Sequence, residues 1–238
     1  MTMLTSGGSS TGTIDDGSIQ VGPNADPQVA IDSASADMKA KDSDGDGNLS
    51  FGSAPFKTVR LTTGVSYNLP SPLIVKEGVR LDCNGAKIKP TGDFNAVETE
   101  KYTQLIRPWI DVTDNATYTS TALRVGHLNG GKVESASPSW VTDPYLYGKD
   151  AEGNGLQLYG GGGPVSMQRI RGGSIQNFNN GIHFYAADDN DSNTTNWVNG
   201  NMIENIAIRN SAYAVRLESE GDEVGGNWIR AQFQPSSR

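Results

Sequence analysis

The run DSDGDGNLSF, from Asp42 to Phe51, gathers the densest set of metal-binding oxygens in the chain. Asp42, Asp44 and Asp46 stand at the first, third and fifth positions of a calcium loop. Gly47 permits its sharp turn, Asn48 offers a backbone carbonyl, and Ser50 fills the ninth place. A hard Ca2+ ion wants several oxygens at flexible distances, and alternate side chains of a tight loop supply them. The flaw is the twelfth position, where Ser53 replaces the bidentate carboxylate, and no acidic residue lies between Asn48 and Glu77. The motif predicts a weak Ca2+ site, or one completed by another segment. The plain alternative is an Asp/Gly-rich turn.

Other carboxylates cluster further on, with Asp188, Asp189 and Asp191 in one segment and Glu218, Glu220, Asp222 and Glu223 in another. Stacked acidic loops could hold a cation or a catalytic pair, but no partner that would tune a carboxylate is apparent, which favours solvated excursions. No catalytic residue is assigned. His127 has no recognisable partner, and His183 reads as a surface histidine rather than a base. If neighbouring segments stack in register, Gln157, His183 and Arg216 form one outward column, and Lys89, Glu134, Gln176 and Arg209 another. Such columns suit a glycan or a neighbouring subunit, and equally a solvated face.

The elements that would position these residues follow from a recurring motif: GAKI at Gly85 to Ile88, GGKV at Gly130 to Val133, GGSI at Gly172 to Ile175 and NIAI at Asn205 to Ile208. Recurrence at intervals of tens of residues marks a repeat architecture, in which each coil buries its neighbour's apolar face. Ile170, Ile175, Asn177, Ile182 and Phe184 align with Ile203, Ile208, Asn210, Val215 and Leu217 at one constant offset. Apolar residues alternate within each copy, as in Val79, Leu81 and Cys83, and the runs are too short for helices. Gly, Asn, Asp and Ser between them supply turns with positive φ, and Asn177 and Asn210 are expected there. An all-β fold of stacked parallel coils fits, with polar segments such as Glu134 to Asn154 thrown out as loops. A β-sandwich is the competing architecture, although its strands need not repeat a motif.

Composition bounds the function. The 238 residues suit one elongated domain, and 29 glycines with 8% aromatics suit coil stacking better than a large globular core. A net charge of −8, with no concentration of Lys and Arg, argues against nucleic acid as a partner. No apolar run approaches membrane-span length, so no membrane insertion is expected. Residues Met1 to Ser10 lack the features of a signal peptide. Cys83, the single cysteine, lies in phase with Leu81 and reads as an inert core thiol.

Three segments emerge: a flexible arm at 1–27, rich in Gly, Ser and Thr; a helix with the Asp/Gly-rich loop at 28–57; and coils at 58–238. Asp26 as N-cap and Pro27 at the first position start the helix, with Val29, Ala30, Ala34 and Met38 at helical spacing. The coil begun at Asn227 to Phe233 is incomplete, so the stack is expected to continue past Arg238 or to be covered by a neighbouring subunit.

The order of helix, then FKTVRLTTGVSYNL, then PLIVKEGVRLDCNGAKIKP resembles the N-terminal cap and first coils of the pectate-lyase-like right-handed parallel β-helix superfamily, especially viral tailspike and spike proteins. Val59, Leu61, Gly64, Tyr67 and Leu69, then Val79, Leu81, Gly85, Ala86 and Ile88, carry the resemblance, which is good from about Asp26 to Pro90. It implies a right-handed β-helix solenoid with a cap helix, in a homotrimeric virion protein made in the host cytoplasm. Residues 1–27 would attach to other virion proteins, and the coils would face a host surface glycan or surface layer. The alternative it implies is a polysaccharide lyase or glycoside hydrolase on an outer groove. Hydrolase motifs of the polygalacturonase kind are fragmentary here: NTT at Asn193 to Thr195, GHL at Gly126 to Leu128 and RIR at Arg169 to Arg171, out of order.

Overall fold

A computed structural model describes residues 3–6, 9–13, 17–41, 56–115, 117–126, 139–161, 163–187, 196–220 and 223–234. Among them the fold is all-β with a single helix, and its strands form long parallel ladders. The first ladder runs through Ile19–Val21, Lys57–Leu61, Val79–Asp82, Gln104–Ile106, Trp140–Thr142, Arg169–Arg171, Met202–Arg209 and Trp228–Gln234. A second ladder stacks Tyr67, Ile88, Ile110, Leu146, Ile175, Ile208 and Phe233 in one column. The third stacks Leu73, Val97, Leu123, Leu156, Ile182 and Val215, with a parallel column through Val75, Thr99, Val125, Leu158, Phe184 and Leu217. Period-two alternation turns these residues to one side, and all but the last member of each column are buried along one continuous core; Val215 is half-buried, and Leu217 and Phe233 are exposed. Cys83 lies in it, fully buried, and burial drives its thiol far above the usual range.

Corners between the first and second ladders require positive φ. Asn84 and Gly85 provide it in one coil, Gly172 and Gly173 in another, and Asn205 in the next. In two further coils Arg107 (φ 51°) and Asp143 (φ 49°) take that conformation directly before a proline. The segments RPWI at Arg107 to Ile110 and DPYL at Asp143 to Leu146 therefore occupy coil positions that the Gly-based motif did not reveal. The GGKV copy at Gly130 to Val133 lies outside the described residues. The final two copies pair as their common offset requires, and Asn177 and Asn210 both have positive φ, joined by a 3.2 Å bond from Asn210 Nδ2 to Asn177 Oδ1.

One expected loop is corrected. Within Glu134 to Asn154, Trp140–Thr142 and the first part of Tyr145–Tyr159 are ladder strands. Their polar composition masked a single inward residue in each, Val141 and Leu146. The strand Ile19–Val21, in the segment read as an arm, pairs in parallel with Lys57–Leu61.

The helix spans Pro27–Lys39, and Asp26 Oδ1 accepts the Gln28 N–H at 2.9 Å. Ala30, Ile31, Ala34 and Met38 are buried, whereas Val29 faces outward. The Gln28 side chain substitutes for a missing strand at the edge of the third ladder. Its amide donates to the Ile74 carbonyl at 3.1 Å and accepts the Ile74 N–H at 2.8 Å. Ser35 Oγ donates to the Glu77 carbonyl, and Lys39 pairs with the Glu77 carboxylate. The helix thus covers strand groups that would otherwise be exposed.

A buried polar spine runs beside the first ladder. Ser139 N–H donates to Gln168 Oε1, Gln168 N–H to Asn201 Oδ1 at 3.0 Å, and Asn201 N–H to Asn227 Oδ1 at 3.1 Å. Each side chain satisfies a backbone donor in the preceding coil, at a corner where ladder pairing is interrupted. No described helix is long and apolar enough to cross a membrane.

Candidate functional site

The outward residues of the third ladder form the most connected polar surface described. Between the inward pairs stand Glu98, Arg124, Gln157, His183 and Arg216, aligned strand to strand. Gln157, His183 and Arg216 therefore share one column, as their places between inward pairs had suggested. Arg124 and Glu98 extend it.

Its side chains are bonded in sequence. Asn95 Nδ2 donates to Glu98 Oε1, and Arg124 lies 3.9 Å from the same oxygen. Arg124 Nε donates to Gln157 Oε1 at 3.1 Å; Gln157 Nε2 lies 3.1 Å from His183 Nδ1; His183 Nε2 lies 3.0 Å from Glu218 Oε2. Arg216 closes on that carboxylate at 2.9 Å. Alongside, Tyr159 and Tyr185 occupy the next aligned outward positions. Arg124 lies over the Tyr159 ring, 4.3 Å from its centre, and His183 stacks on Tyr185 with centroids 5.3 Å apart and 11° between planes.

The bond sequence sets protonation. Arg124 Nε can only donate, so Gln157 receives with Oε1 and offers Nε2–H to His183 Nδ1, which must be unprotonated. The ring proton then sits on Nε2 and is donated to Glu218. Burial holds His183 below its ordinary value, and the nearby Glu218 charge opposes that shift while Arg216 reinforces it. Burial first, then a hydrogen bond to Glu220 and the charges of Glu220 and Glu218, pushes Tyr185 up to about 12. Tyr185 therefore stays a neutral phenol at physiological pH. Both nitrogens of His183 are engaged, so in this arrangement it has no free lone pair for proton abstraction.

Tyrosine faces stack on apolar sugar faces, while planar amide, guanidinium and carboxylate groups bond hydroxyls. No protein-family model, curated protein or solved structure matches the chain. Its site must therefore be read from its own geometry.

Elsewhere the predicted sites fare differently. Asp42, Asp44, Asp46, Asn48 and Ser50 lie outside the described residues, as do His127, Glu134, Asp188, Asp189, Asp191 and Asp222. Among the described residues no group of three His, Cys, Asp or Glu side chains could hold a metal ion. The second predicted column is revised: Asp111, Tyr147, Gln176 and Arg209 align, and Lys89 follows Ile88 in the preceding strand. An open depression of about 450 Å³ lies near its start, between Asn68, Lys89, Asp93 and Asp114. Its carboxylates are already engaged, Asp93 by Thr119 and Ser120 and Asp114 by Lys89 at 2.7 Å. Tyr159, Tyr185 and Arg124 escaped the sequence reading, although Tyr159 and Tyr185 each sit two residues beyond a predicted column member.

Proposed function

We propose that the chain is a virion attachment protein, a right-handed parallel β-helix of the tailspike kind. It is carried on the particle through residues 1–27 and presents the third-ladder surface to a host glycan or surface layer. The observation that carries this reading is the set of partly exposed side chains Arg124, Tyr159, Tyr185 and Arg216, aligned on successive strands around the buried Gln157 and His183, an arrangement that crosses several coils and suits an extended, repeating ligand. Assembly as a homotrimer is supported by apolar side chains left exposed in successive coils, Met167, Met202 and Trp228. Ca2+ at Asp42, Asp44, Asp46, Asn48 and Ser50 belongs to the proposal as a weak structural ion.

Binding to a panel of purified bacterial and archaeal surface polysaccharides tests the surface. Arg216 and Tyr185 are partly exposed, and Arg216→Ala or Tyr185→Ala should weaken binding of a responding glycan about tenfold or more. Unchanged affinity in both variants would remove this face from the account. The second reading, a polysaccharide lyase or hydrolase, is favoured by the Tyr185 phenol beside Glu220. It predicts new unsaturated or reducing ends when the protein is incubated with that glycan.

A further inference from the structure

We propose that Gln157, His183 and Glu218 form a proton-sensitive latch, which holds the outward row closed when His183 is neutral and releases it when the ring is protonated. The regulatory role rests on the reading of this row as the ligand face. The latch itself rests on the bonding pattern.

The sequence of bonds has one possible polarity. It begins at a group that can only donate, Arg124 Nε, and ends at a group that can only accept, the Glu218 carboxylate. A neutral His183 with its proton on Nε2 completes that sequence without conflict. A second proton on Nδ1 faces the Gln157 amide N–H, donor against donor, across 3.1 Å. Rotating the Gln157 amide does not resolve this, because its NH2 would then face Arg124 Nε–H. Protonation thus breaks at least one contact in a row whose Gln157 and His183 side chains are buried.

The charged and titratable groups around the ring come from every neighbouring strand: Glu98, Arg124, Tyr159, Tyr185 on the histidine's own strand, then Arg216, Glu218 and Glu220. Glu218 favours the imidazolium. Burial and Arg216 oppose it, and the balance depresses the folded-state value. The unfolded chain therefore binds this proton more readily than the folded one. The latch's contribution is complete above the ordinary histidine value of about 6.5 and is lost as pH falls through the folded-state value. Acidification should loosen Tyr159 and Tyr185 together with Gln157, since the stacked rings and the Arg124 guanidinium share the same row.

The test is an NMR titration of the imidazole nitrogens of the intact chain without glycan, with His127→Gln identifying the His183 signals. The expected result is the Nε2–H tautomer at neutral pH, a midpoint below that of a free histidine, and movement of the Tyr159 and Tyr185 ring signals with the same midpoint. Gln157→Glu supplies an acceptor to Nδ1 and should shift the midpoint upward, above the wild-type value. An Nδ1–H tautomer, a wild-type midpoint at or above the free value, or tyrosine signals that ignore the titration would overturn the latch. The wild-type titration decides even if Gln157→Glu does not fold. Because no ligand is present, a failed latch and a failed glycan assignment are separate results.

Discussion

Gly173→Ala is expected to lower the unfolding free energy by about 3 kcal/mol, one of the two largest single-residue effects anticipated in the fold. Gly173 has φ +83°, and a Cβ added there would overlap the backbone of Pro144 in the preceding coil. That backbone cannot retreat cheaply, because the Pro144 carbonyl accepts the Ser174 N–H at 2.7 Å and the next residue, Tyr145, donates to Pro108 at 2.8 Å. Overlap and unfavourable φ therefore add. Gly64 isolates the second term, since its φ is +73° with nothing within 4 Å of an added Cβ. Gly64→Ala should cost only about 1 kcal/mol. Urea unfolding of the two variants measures the difference, and equal midpoint shifts would show that the coils do not approach closely at Gly173.

Asn201→Leu should have a comparable effect, about 3 kcal/mol, through the polar spine. Asn201 is buried, its Oδ1 accepts the Gln168 N–H, and its Nδ2 donates to the Val165 carbonyl at 3.1 Å and to Asn227 Oδ1 at 2.8 Å. Leucine keeps the branching but is bulkier, and it leaves the Gln168 donor and the Val165 acceptor without that partner in a buried site. Hydrogen exchange at Gln168, whose amide depends on Asn201, should accelerate along with the loss of stability. A variant of wild-type stability would mean that the spine is dispensable, contrary to its position at successive corners.

Legibility in the sequence followed local chemistry. Where a coil corner uses Gly or Asn and the strands alternate, as around Gly172 and Asn205, the pairing register could be read directly, and with it the Gln157, His183 and Arg216 column. Where the corner is Arg107–Pro108 or Asp143–Pro144, the same backbone conformation is reached with different residues. Nothing in composition marks an arginine with positive φ. The second column was consequently misassigned through Glu134, when Asp111 and Tyr147 hold the intermediate places. Helix capping by Asp26 was legible because the N-cap requirement is local, whereas the use of Gln28 as a substitute strand edge depends on Ile74, distant in sequence. The spine escaped for the same reason: Gln168, Asn201 and Asn227 look like loop polarity until coils are stacked.

The candidate surface shows the limit more sharply. The column could be aligned from the repeat, but its directionality could not, because that arises from Arg124 at one end and Glu218 at the other. Sequence spacing suggested a solvated histidine. Stacking on Tyr185 and bonding at both nitrogens instead make it a buried link between coils.

The attachment account is tested most directly by the mass of the native assembly in solution, measured by light scattering and compared with the intact chain mass. A particle of three chains is the predicted result, in keeping with side-by-side packing of coils whose Met167, Met202 and Trp228 are exposed in the single chain. A stable single chain at micromolar concentration would contradict it and shift the account toward a free carbohydrate-active enzyme or binding module.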